Sequence, residues 1–139
     1  MPIVDLHGRP AAAVDALLSL WCVYKTECPT SAVAWPCWKT LSGLLPVVAV
    51  AQNTADEVHD FVGTPPPSLA LTLDPEPYAA SSRLRVLYTP TVFLVENGVV
   101  SKVIEAWQRD AYQEMVDDLA ARRGVPSPSL DGYPEFQYG

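Results

Sequence analysis

The chain has 139 residues, 49% hydrophobic and 18% charged, which is the length of one domain with enough apolar content for a core and excludes wholesale disorder. Nine Lys and Arg against sixteen Asp and Glu leave a formal charge of -7, which argues against nucleic-acid partners and polybasic membrane anchors, both of which need clustered cations. No apolar run approaches the ~20 residues of a membrane-spanning helix, and Met1-Pro2-Ile3-Val4-Asp5 lacks the basic, apolar and small-residue regions of a secretory leader, so the expected compartment is the reducing cytoplasm.

In chain order, Pro2–Leu6 reads as a short strand closed by a turn at His7-Gly8-Arg9-Pro10, and Ala11–Leu17 as one or two helical turns. Leu18–Tyr24 is almost continuously apolar with β-branched and aromatic residues, the pattern of a central strand buried on both faces. A helix is predicted from Pro29 or Thr30 to about Ser42, kinked or broken by Pro36. Leu45–Ala51 reads as a second buried strand. Thr54-Ala55-Asp56-Glu57 is a capping box opening a helix whose apolar face is Val58, Phe61 and Val62, stopped by Gly63-Thr64-Pro65-Pro66-Pro67. Ser68–Leu73 predicts a third strand and Pro75–Arg85 a short helix or turn. Asn97-Gly98 joins Thr91–Glu96 to Val99–Glu105 as a hairpin. Ala111, Tyr112, Met115, Val116, Leu119 and Ala120 recur at helical spacing, giving an amphipathic helix over 108–123 that ends at Arg122-Arg123-Gly124. The expected organisation is a domain over 1–124 and a Pro/aromatic tail over 125–139 lying on the surface. Alternating strands and helices with a closing hairpin define an α/β architecture around a mixed sheet.

Three cysteines are the residues able to carry nucleophilic chemistry. Cys28 precedes a helix, where unpaired N–H groups and the positive end of the dipole favour a thiolate, with Lys25 as a candidate nearby cation and Glu27 opposing it. Ser31, one turn on, is placed to donate a hydrogen bond to the sulfur. Cys22 and Cys37 read as small apolar core residues. An internal bridge from Cys28 to Cys37 along one helix would span about 13 Å between Cα atoms, too far for a disulfide. His7 and His59 belong to no paired ligand motif, so neither a metal site nor a cofactor is expected. Asp74 reads as a turn residue.

The order of strand, Cys-Pro turn, Pro-kinked helix and Thr-Pro-Thr before a hairpin resembles the thioredoxin-like superfamily, specifically its thiol-disulfide oxidoreductase and peroxiredoxin branches. Cys28-Pro29-Thr30-Ser31 looks like the Cys-x-x-Cys turn with Ser31 in place of the second cysteine. Pro36 matches the helix-kinking proline, and Thr89-Pro90-Thr91 the cis-proline motif. The strand and helix over 68–85 resemble that branch's insertion, as Asp5-Leu6-His7-Gly8 resembles its N-terminal hairpin. Cys22 stands where thioredoxins carry a buried acid, and the peroxidase signature ahead of the cysteine is replaced by Trp21 and Lys25.

The resemblance implies a thioredoxin-like fold with a mixed sheet flanked by helices. It also implies a cis Thr89–Pro90 bond beside Cys28 and a monothiol oxidoreductase acting through a mixed disulfide at Cys28, with Ser31 beside it. Thr89, Pro90, Pro29 and Tyr24 become the substrate-binding candidates, with Tyr88 beside them, and protein or small-molecule thiols and disulfides the partners. Thiol-dependent peroxide reduction and a non-catalytic binding module are the alternatives.

Overall fold

The computed structural model describes residues 4–5 and 17–139; the turn expected at residues 7–10, most of the helical turns over 11–17, and His7 lie outside them. Among the described residues, six strands form one mixed sheet in the order β1-β4-β3-β2-β5-β6. They are β1 (Val4–Asp5), β2 (Leu18–Tyr24), β3 (Val47–Ala51), β4 (Leu69–Leu73), β5 (Thr91–Glu96) and β6 (Val99–Glu105). β2, β3 and β4 run parallel, while β5 lies antiparallel to β2 and β6 to β5. The β5–β6 ladder shifts register between Leu94 and Val95, which leaves Ser101 as an extra residue on edge strand β6.

The helices are α1 (Pro29–Leu41), α2 (Ala55–Val62), α3 (Ala79–Arg83) and α4 (Arg109–Arg123). α1 continues through Pro36, so the proline does not end it. α2 starts on the capping box expected from the sequence: Thr54 accepts from the Glu57 N–H, and the Glu57 carboxylate accepts from the Thr54 N–H. The positive-φ Gly124 closes α4 in the left-handed conformation that glycine adopts without a Cβ penalty.

Strand parity sorts the core into two halves, because successive side chains point to opposite faces. Leu20, Cys22 and Tyr24 of β2 join Trp35, Trp38, Val58 and the buried face of α4 in the larger cluster. Val23, Val48, Val50, Ala80 and Phe93 form the smaller one. The Trp38 indole N–H donates to the Tyr112 hydroxyl at 3.1 Å, tying α1 to α4.

The C-terminal tail runs over the surface and is fastened there by specific contacts. Leu130 is buried in the main core, and Trp107 stacks between Tyr112 and Tyr133 with ring centroids 4.5 and 5.0 Å away. The Trp107 indole donates to the Pro134 carbonyl at 2.6 Å. Gln113 holds the tail twice, donating to the Pro128 carbonyl and accepting from the Leu130 N–H. Two further strands, β7 (Trp107–Gln108) and β8 (Phe136–Gln137), pair antiparallel as a separate small sheet. Aromatic stacking, side-chain hydrogen bonds and this one short strand pair fasten a tail whose proline-rich composition discourages longer regular structure.

Candidate functional site

β2 ends at Tyr24 and the chain turns through Lys25–Glu27, with the Cys28 N–H bonded to the Lys25 carbonyl at 3.2 Å. Asn53 pins this turn from the next connection: its carbonyl accepts from the Thr26 N–H at 2.9 Å and its amide donates to Glu27 at 2.8 Å. That bond from Asn53 is the main reason the Glu27 carboxyl is held below its usual range. Glu27 is exposed, so its charge is spent on Asn53 and solvent rather than buried beside the cysteine.

Cys28 is the N-cap residue of α1, in extended conformation, and Pro29 occupies the first helical turn. Proline fits there because the missing N–H would have no intrahelical partner. The Cys28 thiol is half-buried and donates to the Thr89 carbonyl at 3.4 Å. The Thr89–Pro90 peptide bond is cis. Its loop is held by the Thr91 hydroxyl, which donates to the Tyr88 carbonyl at 2.6 Å, and by the Ala106 N–H, which donates to the Pro90 carbonyl at 2.8 Å. Cys28, Pro29, Thr89 and Pro90, distant in sequence, therefore meet at the C-terminal end of β2 and the N-terminal end of α1.

Two candidates fall elsewhere. Tyr24 is fully buried, its ring packed at 5.9, 5.6 and 6.0 Å from Trp35, Trp38 and Phe61. It supports the floor under α1 and presents nothing to a ligand. Its parity with Leu20 and Cys22 carried that signal in the sequence. Ser31 is fully buried, and its hydroxyl has no hydrogen-bond partner, so the expected bond to the Cys28 sulfur is not made; the thiol turns to Thr89 instead.

The other cysteines are sealed. Cys22 and Cys37 are both 0% exposed. Burial pushes the Cys37 thiol up to about 12 and the Cys22 thiol well above its ordinary value, with the proximity of Cys37 adding to the latter. Asp74, also buried, accepts from the Ala80 and Ser81 N–H groups and the Ser81 hydroxyl, and so anchors the start of α3. His59 is exposed. Among the described residues no group of three or more His, Cys, Asp or Glu side chains could hold a metal ion, and no helix is long and apolar enough to cross a membrane.

Sequence reasoning passed over Thr30 and the end of the tail. Thr30 is buried, and its hydroxyl donates to the Tyr138 carbonyl. Phe136, Tyr138 and Gly139 face Tyr88, Glu105 and Gln108 across a cleft of ≈ 270 Å³ beside the cis-proline loop. Nothing local to Thr30 or Tyr138 advertises a contact between residues so far apart in the chain.

The fold is thioredoxin-like. The chain superimposes on a secreted disulfide oxidoreductase of Mycobacterium tuberculosis homologous to E. coli DsbE, with a TM-score of 0.68 and 15% identity over 86% of this chain and 94% of that one. A thio-disulfide isomerase from Thermus thermophilus gives 0.67 and 18%, covering 89% and 92%. The exposed lipoprotein thioredoxin of Streptococcus pneumoniae gives 0.66 and 14%, covering 86% and 96%. No protein-family model matches the chain, and no curated protein does.

Proposed function

We propose that the protein is a thiol-disulfide oxidoreductase that works through one cysteine, Cys28. The observation that carries this reading is the position of its sulfur: at the N-terminus of α1, accessible, and 3.4 Å from the carbonyl preceding cis Pro90, while both other thiols are buried. A fold alone does not specify chemistry. An accessible cysteine at a helix N-terminus, with its competitors sealed, favours a single point of attack. The oxidoreductases and isomerase sharing the fold support the same class of reaction.

The step follows ordinary exchange chemistry. Cys28 loses its proton to solvent, giving up the bond to Thr89, and the thiolate attacks one sulfur of a substrate disulfide. A Cys28–substrate sulfur bond forms, the substrate disulfide breaks, and the other substrate sulfur leaves as a thiolate that takes a proton. With Ser31 in place of a second thiol, an external thiol completes the cycle: its thiolate attacks the mixed disulfide, takes the substrate sulfur into a new disulfide, and releases Cys28. Trapping tests this directly. After incubation with a small-molecule disulfide, intact-mass and peptide analysis should find one adduct, on Cys28, that a monothiol reverses. Ser31→Cys should raise dithiol-type reduction of insulin. A native protein in which Cys28 forms no adduct refutes the reading and leaves a binding module.

A further inference from the structure

We infer that the segment Phe136–Gly139 is a built-in strap over the Cys28 site, occupying the groove in which an extended substrate peptide would lie; the inference rests on the function proposed above. Three independent contacts carry it. First, the segment arrives in strand conformation, with Phe136 and Gln137 paired to Gln108 and Trp107. Second, it crosses to the start of α1, where the Tyr138 carbonyl accepts from the Thr30 hydroxyl, two residues from the reactive sulfur. Third, Gly139 lies against the cis-proline loop so closely that a Cβ there would sit 2.5 Å from the Thr89 oxygen, 3.2 Å from the Thr89 carbonyl carbon and 3.3 Å from the Tyr88 Cβ. The Thr89 oxygen is the atom to which Cys28 donates, so the strap and the thiol converge on one carbonyl.

These contacts also describe what the groove accepts. Main-chain pairing at β7, a carbonyl accepted by Thr30 and a residue without Cβ at Thr89 together read an extended backbone. Phe136 and Tyr138 pack edge to face at 4.8 Å and line the cleft with Tyr88 and Gln108. The ligand class is therefore an extended peptide carrying aromatic side chains, with glycine at the position that meets Thr89. The strap itself is weakly held: Phe136 is 50% and Tyr138 82% exposed, whereas the tail behind it is fixed by Leu130, Tyr133 and Trp107. A few hydrogen bonds over an open surface give a segment that opens without global unfolding. A peptide must displace the strap to lie in this groove.

The test is the rate at which iodoacetamide alkylates Cys28 at one neutral pH in the wild-type chain, in a chain ending at Glu135, and in Gly139→Ala. Both variants should react about tenfold faster, as expected when a few exposed hydrogen bonds are lost. Adding a synthetic peptide of residues 133–139 to the shortened chain should return the rate toward wild type, and the same residues in scrambled order should not. Equal rates in all three proteins overturn the strap. So does a faster rate that the peptide cannot slow, since that reports loosened packing and not an emptied groove. Ending the chain at Glu135 keeps the Trp107–Pro134 and Arg109–Glu135 bonds, and labelling of Cys37 in the same digest distinguishes opening from unfolding. Alkylation needs no disulfide chemistry, so a failure of the strap and a failure of mixed-disulfide formation show in separate experiments.

Discussion

Cys28 caps the start of α1 and Cys37 lies within that helix, yet the first is half-buried with its thiol aimed at the cis-proline loop, and the second is enclosed in the main core. Cys22 joins the second environment from the strand below. Residue type alone would make the three equivalent. Packing separates them, because a thiolate needs either water or compensating donors and the core around Cys22 and Cys37 supplies neither. Burial thus leaves Cys28 as the one thiol of the three that solvent reaches.

The sharpest break of this comparison is kinetic. In the native protein iodoacetamide should label Cys28 at least ~100-fold faster than Cys37 or Cys22, because reaching a core thiol requires an opening of several kcal/mol; peptide mapping of a time course measures it. Comparable rates would mean that the core around α1 is open.

Next comes the alkaline limb of stability. The folded Cys37 thiol is raised from 9.0 to about 12, so below pH 9 both states keep the proton and the full contribution is present. Above that, the unfolded thiol ionises while the folded one does not, and stability falls until the folded value is reached. The loss is of the order of a few kcal/mol across that window. Melting temperatures between pH 8 and 11 should fall, and less steeply in Cys37→Ala; parallel slopes would show that Cys37 is not the titrating group.

Cys22→Ser should cost ~1–3 kcal/mol, since it puts a hydroxyl into an apolar site 0% exposed to solvent. An unchanged denaturation midpoint would remove Cys22 from the sealed class. The smallest effect has the opposite sign. Ser31 carries a buried hydroxyl without a partner, so Ser31→Ala should stabilise by about 1 kcal/mol. A destabilised variant would mean that the hydroxyl is bonded after all.

Much of this fold is local and was therefore readable. The strands Leu18–Tyr24 and Thr91–Glu96, the Thr54–Glu57 capping box and the Asn97-Gly98 hairpin each depend on neighbours within a few residues, and each appears where its pattern placed it. Cys28 and Thr89-Pro90 were legible as separate motifs, and their meeting followed from the fold they resemble. Tyr24 adjoins the site in sequence, but its parity with Leu20 and Cys22 turns its ring into the core. The direction of the Cys28 thiol depends on a competition between Ser31 and the Thr89 carbonyl that helical spacing cannot decide. The tail was illegible for a different reason: Leu130, Tyr133 and Tyr138 find their partners on α4, β7 and α1, and no periodicity records a contact between such distant segments.

The register shift in the last hairpin reaches beyond the site. Edge strand β6 exposes Val99, Val100 and Val103, an apolar rim with one row of backbone groups unpaired, which is what aggregating sheets recruit. With Leu94 opposite Lys102 and Val95 opposite Val100, the extra Ser101 bends that rim and interrupts its alternation. Its hydroxyl turns back to donate to the Leu94 carbonyl at 3.3 Å, and Lys102 brings a charge to the middle of the strand. A second molecule meeting this edge finds two short, misaligned stretches in place of a continuous ladder.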